Sequence, residues 1–196
     1  TNGNGNDVLF KDNSKRDNFT KEFRQFIKFK YKNQYSPEQI LGYLYAILHS
    51  PSYRSKYLEF LKIDYPRIPF TENESLFNEL SSIGFELIEH HLLKRSYPDG
   101  LCRINGSGTN YNIEKVEYEK GKIWFNNSRY FESISDQIWN FNIGGYQVLD
   151  KWLKERKKNQ ISLSSEDIQH FIKVVNILNY TIYSMKEIDN LTKDWL

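Results

Sequence analysis

Through most of this chain apolar residues recur every third or fourth position, and that spacing predicts helices. From about Asn18 to Tyr31, Phe19, Phe23, Phe26 and Ile27 are spaced for a short helix. A clearer one opens at Ser36-Pro37-Glu38-Gln39, which supplies an N-cap serine, a proline in the first turn and a capping-box glutamine. Its apolar stripe is Ile40, Leu41, Leu44, Ile47 and Leu48. Ser50-Pro51 interrupts it, because proline disfavours helical backbone in the residue before it. A second helix is expected from Ser52 to Leu61, burying Tyr53, Tyr57, Leu58 and Leu61. The two prolines of Tyr65-Pro66-Arg67-Ile68-Pro69-Phe70 force extended backbone. Thr71-Glu72-Asn73-Glu74 reads as another capping box, starting a long helix through Leu76, Leu80, Ile83, Leu87, Ile88 and Leu92 that ends near Lys94-Arg95.

From Gly100 to Gly145 the pattern changes to Gly, Asn, Ser and β-formers. Val116-Glu117-Tyr118-Glu119 alternates, Lys120-Gly121 marks a turn and Ile123-Trp124-Phe125 resumes a strand, which is a hairpin pattern. Ile134 and Ile138-Trp139-Asn140-Phe141 read as strand or turn, and Gly144-Gly145 as the end of the β section and the start of a helix from Tyr146 to about Lys157. A last helix, opened at Ser164 or Ser165, runs to about Asn190 with Ile168, Phe171, Ile172, Val175, Leu178, Ile182, Met185 and Ile188 as its buried stripe. The expected class is α+β: helical bundle elements flanking a small, mostly antiparallel β-sheet. The sections are 1–35 (a loop and short helix), 36–95 (helical, with the Pro-rich segment), 96–145 (the small β section) and 146–196 (C-terminal helices), forming one compact domain.

A length of 196 residues allows a buried core. The net charge of +2 is too small for a chain whose whole surface coats phosphates, so any nucleic-acid contact must come from a local patch. The aromatic content of 16% suits a core and base stacking equally, and so decides nothing. The lone cysteine, Cys102, excludes an internal disulfide framework and a multi-cysteine zinc site. With no apolar run long enough to span a membrane and no signal-peptide pattern, the expected location is the cytoplasm, with no membrane partner. Thr1-Asn2-Gly3-Asn4-Gly5-Asn6 is polar and glycine-rich, with no initiator Met, and reads as a loop where a longer polypeptide has been cut.

Catalytic motifs are notable for what is missing. No Asn-Pro or Asp-Pro dipeptide occurs, so the Asn/Asp-Pro-Pro-aromatic motif of amine methyltransferases cannot be assembled, and no Gly-Lys-Ser/Thr is present to cradle a triphosphate. Pro98-Asp99 hints at a nuclease core, but the strand after it offers Glu114, Glu117 and Glu119 without the Glu-x-Lys that such a metal site needs. His49, His90, His91 and His170 lack metal-ligand spacing. No catalytic residue and no metal ligand is assigned.

Two stretches resemble a known family. The first is Tyr43-Leu44-Tyr45-Ala46-Ile47-Leu48-His49-Ser50-Pro51-Ser52-Tyr53-Arg54, continuing to Asp64-Tyr65-Pro66-Arg67-Ile68-Pro69. The second runs from Ile138-Trp139-Asn140-Phe141-Asn142-Ile143-Gly144-Gly145-Tyr146 to Gln147-Val148-Leu149-Asp150-Lys151-Trp152-Leu153-Lys154-Glu155-Arg156. Together they resemble the C-terminal specificity (target-recognition) region of type ISP restriction–modification enzymes and related adenine-specific DNA methyltransferases. The resemblance implies a module that selects the DNA sequence and performs no chemistry itself. It also implies that S-adenosylmethionine, ATP and Mg²⁺ serve other domains of the polypeptide, and that the partners are double-stranded DNA and a methyltransferase domain of the same chain. A rival expectation is a helical coupling module that positions the methyltransferase domain and touches DNA little.

Reading DNA takes side chains that reach base edges and cations that hold phosphates. The Asn- and Arg-rich loops Arg103 to Asn112 and Asn126 to Arg129 offer Arg103, Asn105, Asn110, Asn126 and Arg129. The densest basic cluster, Lys151, Lys154, Arg156, Lys157 and Lys158, offers Lys151, Lys154 and Arg156, with Tyr146 just ahead of it. A solvated helix end that complements the helix dipole accounts for the same cluster, and an ordinary polar loop for the same asparagines.

Overall fold

The computed structural model describes residues 18–95 and 102–196. The glycine-rich start of the chain, Pro98-Asp99 and the Gly100 boundary of the β section lie outside the described residues. Helix α1 (Lys21–Tyr31) is capped by Thr20, whose side chain accepts the Phe23 N–H. Helix α2 (Pro37–His49) has the predicted capping box, with Ser36 and Gln39 each bonding the other's backbone N–H. Ser50 ends α2 and caps α3 (Pro51–Lys56) through the Tyr53 N–H. The helix expected over Ser52 to Leu61 breaks at Tyr57 (φ −107°, ψ 16°) into α3 and the single turn α4 (Leu58–Leu61). The break turns the chain back so that Arg67 O accepts from the buried Tyr53 hydroxyl at 2.9 Å, and Leu58, expected inside, faces solvent.

Helix α5 (Glu74–His91) is capped by Asn73, not Thr71. Thr71 is buried and otherwise engaged: its carbonyl accepts from Tyr31 and its N–H donates to the Tyr43 hydroxyl. Helices α2 and α5 cross with their backbones touching. A Cβ on Gly84 would stand 1.9 Å from Gly42 O, and one on Gly42 would stand 2.2 Å from Ser81 O.

The sheet section has more strands than the sequence pattern showed. Strands β1 (Arg103–Gly106), β2 (Glu117–Glu119), β3 (Lys122–Trp124) and β4 (Arg129–Glu132) form an antiparallel sheet in the order β1-β4-β3-β2. The β2–β3 hairpin is as predicted, whereas Arg103 to Gly106 is strand rather than loop. The segment around Ile138 is neither strand nor turn but a short helix, α6 (Asp136–Trp139), capped by Ser135. Gly144-Gly145 does not start a helix. With φ of +56° and +83° it makes the tight turn of a two-stranded hairpin, β5 (Asn142–Ile143) with β6 (Tyr146–Gln147). Tyr146 is therefore a strand residue, and α7 (Val148–Lys158) begins after it.

Helix α8 (Ser165–Thr192) joins two apolar clusters. Its first half packs Phe171, Val175 and Leu178 against Ile123, Phe125 and Phe131 of the sheet section and Leu149 and Leu153 of α7. Its second half places Ile188 against Ile40, Tyr43 and Ile47 of α2 and Phe77, Leu80 and Leu87 of α5. At about 1.5 Å per residue this 28-residue helix is some 42 Å long, enough to serve both. The architecture is α+β, helices flanking a small antiparallel sheet.

Candidate nucleic-acid interface

Strand alternation sorts the sheet into an inner and an outer face. The paired positions Ile104, Phe131, Ile123 and Tyr118 form the inner row. The outer row carries Arg103, Asn105, Tyr130, Trp124 and Lys122 together with Glu117, Glu119 and Glu132. Trp124 and Tyr130 lie side by side with ring centroids 4.4 Å apart, Lys122 Nζ is 4.5 Å from the Tyr130 ring and Lys115 Nζ is 5.8 Å from the Trp124 ring. The two rings, tilted by 47° to each other, make an aromatic surface with cations beside it, able to stack against a planar group. Trp124, Tyr130 and Lys122 were not singled out from the sequence; period-two alternation within a strand pairing not yet known was the only signal. The carboxylates around this face are each engaged. Glu117 pairs with Lys115 at 2.8 Å, Glu119 with Lys120 at 3.9 Å, Glu114 accepts from Asn110 at 2.7 Å and Glu132 accepts from Asn105 at 3.2 Å.

Arg103 is exposed on β1 and makes no ion pair among the described residues. Asn105, besides its bond to Glu132, accepts the Gly106 N–H at 2.7 Å. Asn110 accepts the Asn112 N–H at 2.9 Å and stays exposed. Asn126 is a different kind of residue: it is 1% exposed. Its Nδ2 donates to Asn110 O and Asn112 O, and its Oδ1 accepts from Ser128 N and Arg129 N. Every polar atom of that amide is used, so Asn126 shapes the loops and is not available to reach a base. Arg129 is half-buried, with its guanidinium 4.1 Å from the Tyr111 ring centre and donating to Gly108 O. Its Nε is buried without a hydrogen-bond partner. It holds the 107–112 loop against the sheet.

The second candidate region is the β5–β6 hairpin with α7. Tyr146 is 60% exposed and the Lys151 ammonium lies 3.9 Å from its ring centre, so the two present a cation and an aromatic face together. Lys154 is exposed but paired with Asp150 at 2.7 Å. Arg156 is held back: its guanidinium stacks 3.3 Å from the Trp152 ring centre and bonds Asp167. Bonds from Ser164, and then from Arg156, hold the Asp167 carboxyl below its usual range against the opposing effect of burial. Arg156 thus fastens α7 to the start of α8, while Lys157 and Lys158 remain exposed.

The structure brings part of these two regions together. Leu163 N donates to Tyr111 O and Asn112 bridges Ser162, which seats the 107–112 loop against the connection after α7. Tyr146 and Lys151 belong to the opposite end of that helix, so the nine predicted residues do not form one patch.

Where the two apolar clusters meet there is a cavity of about 450 Å³ lined by Tyr45, His49, His91, Phe141, Val148 and Thr181 among others. Tyr45 and Thr181 engage both ring nitrogens of His91, at 2.7 and 2.9 Å. Thr181 donates its own proton to Ile177 O, so it accepts from His91 Nε2, and Tyr45 donates to Nδ1. Burial, with His49 and His90 nearby, lowers the His91 pKa to about 4. Among the described residues no group of three His, Cys, Asp or Glu side chains is placed to hold a metal ion, and no helix is long and apolar enough to cross a membrane.

A family model described as the type ISP C-terminal specificity domain matches residues 2–187, and the chain belongs to that family. Three solved structures share the fold. The ATP-dependent type ISP restriction-modification enzyme LlaBIII bound to DNA is 21% identical with a TM-score of 0.65, over 84% of this chain and 12% of that one. A nuclease-deletion mutant of the type ISP enzyme LlaGI with a DNA substrate mimic is 23% identical with a TM-score of 0.60, over 79% and 14%. A DrdV–DNA complex is 19% identical with a TM-score of 0.68, over 86% and 19%. The chain thus spans under a fifth of the length of each. No curated protein matches.

Proposed function

We propose that this chain is the DNA target-recognition module of a bacterial restriction–modification enzyme and performs no chemistry of its own. One observation carries the reading: a specificity-domain family model covers residues 2–187, and proteins sharing the fold are solved with DNA. The exposed cations Arg103, Lys151 and Lys154 hold phosphates in this reading, while strand β1 presents Asn105, and the loop shaped by Asn126 and Arg129 presents Asn110, to the base edges. The outer-face rings of Trp124 and Tyr130 add a surface on which sugars or bases pack. The chemistry, with its S-adenosylmethionine, ATP and Mg²⁺, lies in a methyltransferase domain and other parts of a longer cytoplasmic polypeptide.

A specific observation favours a second reading, that of a coupling module. Leu58, Phe60, Ile63 and Tyr65 are 50%, 67%, 82% and 90% exposed beside an apolar hollow of about 470 Å³. Such a patch suits a protein neighbour better than a phosphate. One experiment separates the two. Gel shifts of the intact polypeptide on cognate and scrambled duplexes are expected to weaken on both duplexes when Arg103, Lys151 and Lys154 are reversed to Glu, and to lose discrimination when Asn105 and Asn110 are replaced by Ala. Unchanged binding in the first variant and unchanged sequence choice in the second reject target recognition and leave the coupling role.

A further inference from the structure

The helical half carries a charged surface that no motif flagged. Residues 18–35 hold Lys21, Arg24, Lys28, Lys30 and Lys32 against one carboxylate, Glu22. That segment alone is more positive than the whole chain at +2, so the cations are segregated there rather than spread over the surface. Helical geometry then aligns them. Positions 21, 25 and 28 are spaced four and three apart, which puts them on one stripe of the helix; Lys32 follows at its left-handed C-cap, and Lys21, Gln25, Lys28 and Lys32 are all exposed. The other side of α1, with Ile27 and Tyr31, is buried.

Lys21, Lys28 and Lys32 make no ion pair among the described residues, whereas Lys30, on the flank, bonds Glu72. Arg24 is pinned beside the stripe, donating to Tyr35 O at 2.6 Å. A groove of about 440 Å³ runs alongside, and its polar walls are Arg24, Gln25, Lys28, Asn33 and Gln34. These are two cations and three amides, with no carboxylate among the described residues that line it, a wall chemistry that accepts an anion.

We propose that α1 and the turn after it form a ridge that tracks the phosphate backbone of duplex DNA, separate from the loops of the sheet. The stripe from Lys21 to Lys32 is about 16 Å long, and one DNA strand presents a phosphate about every 3.4 Å of axis, so the ridge follows several phosphates instead of gripping one. Lysines on flexible stems serve as point charges and carry no base-edge geometry, so the ridge adds affinity and register without sequence information. A lipid surface fits less well. An interfacial helix needs an outward apolar face, but the apolar side of α1 is in the core and Phe26 packs on Phe70 at 5.6 Å, leaving Phe29 as the one side chain of that kind fully outward.

The inference rests on the DNA-recognition reading, and fluorescence anisotropy with a labelled duplex across a KCl series distinguishes the failure of each. Substituting Lys21→Gln, Lys28→Gln and Lys32→Gln together, all at exposed positions, is expected to reduce the slope of log affinity against log salt by about 2.7, near 0.9 per phosphate contact. Preference for cognate over scrambled duplex is expected to stay as in the unsubstituted chain, and the corresponding three arginines to restore the slope. A duplex-binding chain whose slope is untouched by the glutamines overturns the ridge alone. An unsubstituted chain that shows no salt-dependent duplex binding overturns the DNA reading and the ridge with it. If the glutamines release the chain from phosphatidylglycerol vesicles yet leave the duplex slope intact, the surface belongs to lipid and the ridge is overturned.

Discussion

The helical and sheet halves of this molecule both bury polar side chains, but they spend them differently. In the helical half three tyrosines point inward and donate to the carbonyls of one extended segment: Tyr31 to Thr71, Tyr43 to Pro69 and Tyr53 to Arg67, at 2.8, 2.8 and 2.9 Å. Burial raises the pKa of all three, so these hydroxyls keep their protons and remain donors. The result is a Pro-rich strap fastened onto α1, α2 and α3, where prolines at 66 and 69 remove two backbone donors that strand pairing would have needed. The sheet half has an apolar centre and puts its buried amide, Asn126, at the rim, where it ties two loops together. One half is braced from within as a support. The other fixes the shape of what it presents.

The helical support depends on close backbone contact and is the more sensitive to added volume. Gly84→Ala forces a methyl group into the space occupied by Gly42 O, 1.9 Å from the ideal Cβ, and the α2–α5 crossing must open. The expected loss is about 3 kcal/mol, at the upper end for overpacking, because a carbonyl on a helix cannot swing aside as a side chain can. Urea denaturation followed by circular dichroism measures it. A loss under about 1 kcal/mol shows that the helices slide freely, and the notion of a rigid support is then wrong.

Asn126→Leu tests the other half. It conserves size but strips partners from Asn110 O, Asn112 O, Ser128 N and Arg129 N, and the cost of leaving buried groups unpaired is about 2 kcal/mol. Because no charge changes, the salt dependence of duplex binding is expected to hold while discrimination between cognate and scrambled duplex falls. Loss of stability without loss of discrimination shows that these loops do not carry the reading.

These two sites also mark what could be read from sequence. Local signals gave most of the helices: the Ser36–Gln39 box, Ser50-Pro51 and the stripe of α8 all lie within a turn or two of the elements they specify. Thr71 failed as a cap because its neighbours from α1 and α2, 40 and 28 residues away, claim its backbone first. Strands β1 and β4 escaped notice because each is four residues long and is defined by pairing with the other, Ile104 against Phe131, across an intervening hairpin. Gly144-Gly145 signalled a special backbone correctly, but whether that backbone starts a helix or closes a hairpin depends on Ile143 finding Tyr146. The candidate site was legible as residue types in loops. Which asparagines face solvent and which, like Asn126, are consumed inside was not, since burial is a property of the whole packing.

The smallest expected effect lies at the seam between the halves. His91 bonds Tyr45 of the helical half and Thr181 of α8, and its pKa is lowered from the usual 6.5 to about 4, mainly by burial. In that pH interval the unfolded chain takes up a proton that the folded chain does not, so stability rises with pH there. The contribution is complete above about pH 6.5, declines as pH falls, and changes no further below about 4. His49, lowered in the same direction by burial, adds to the slope with the same sign. Urea midpoints taken between pH 7 and pH 4 are therefore expected to fall, and His91→Gln, which cannot titrate, to flatten part of the decline. Protonation would also oblige Tyr45 to give up its donation to Nδ1, loosening the hydrogen-bonded chain that runs from α2 through α5 to α8. A midpoint just as steep in His91→Gln as in the unsubstituted chain would place the acid sensitivity elsewhere.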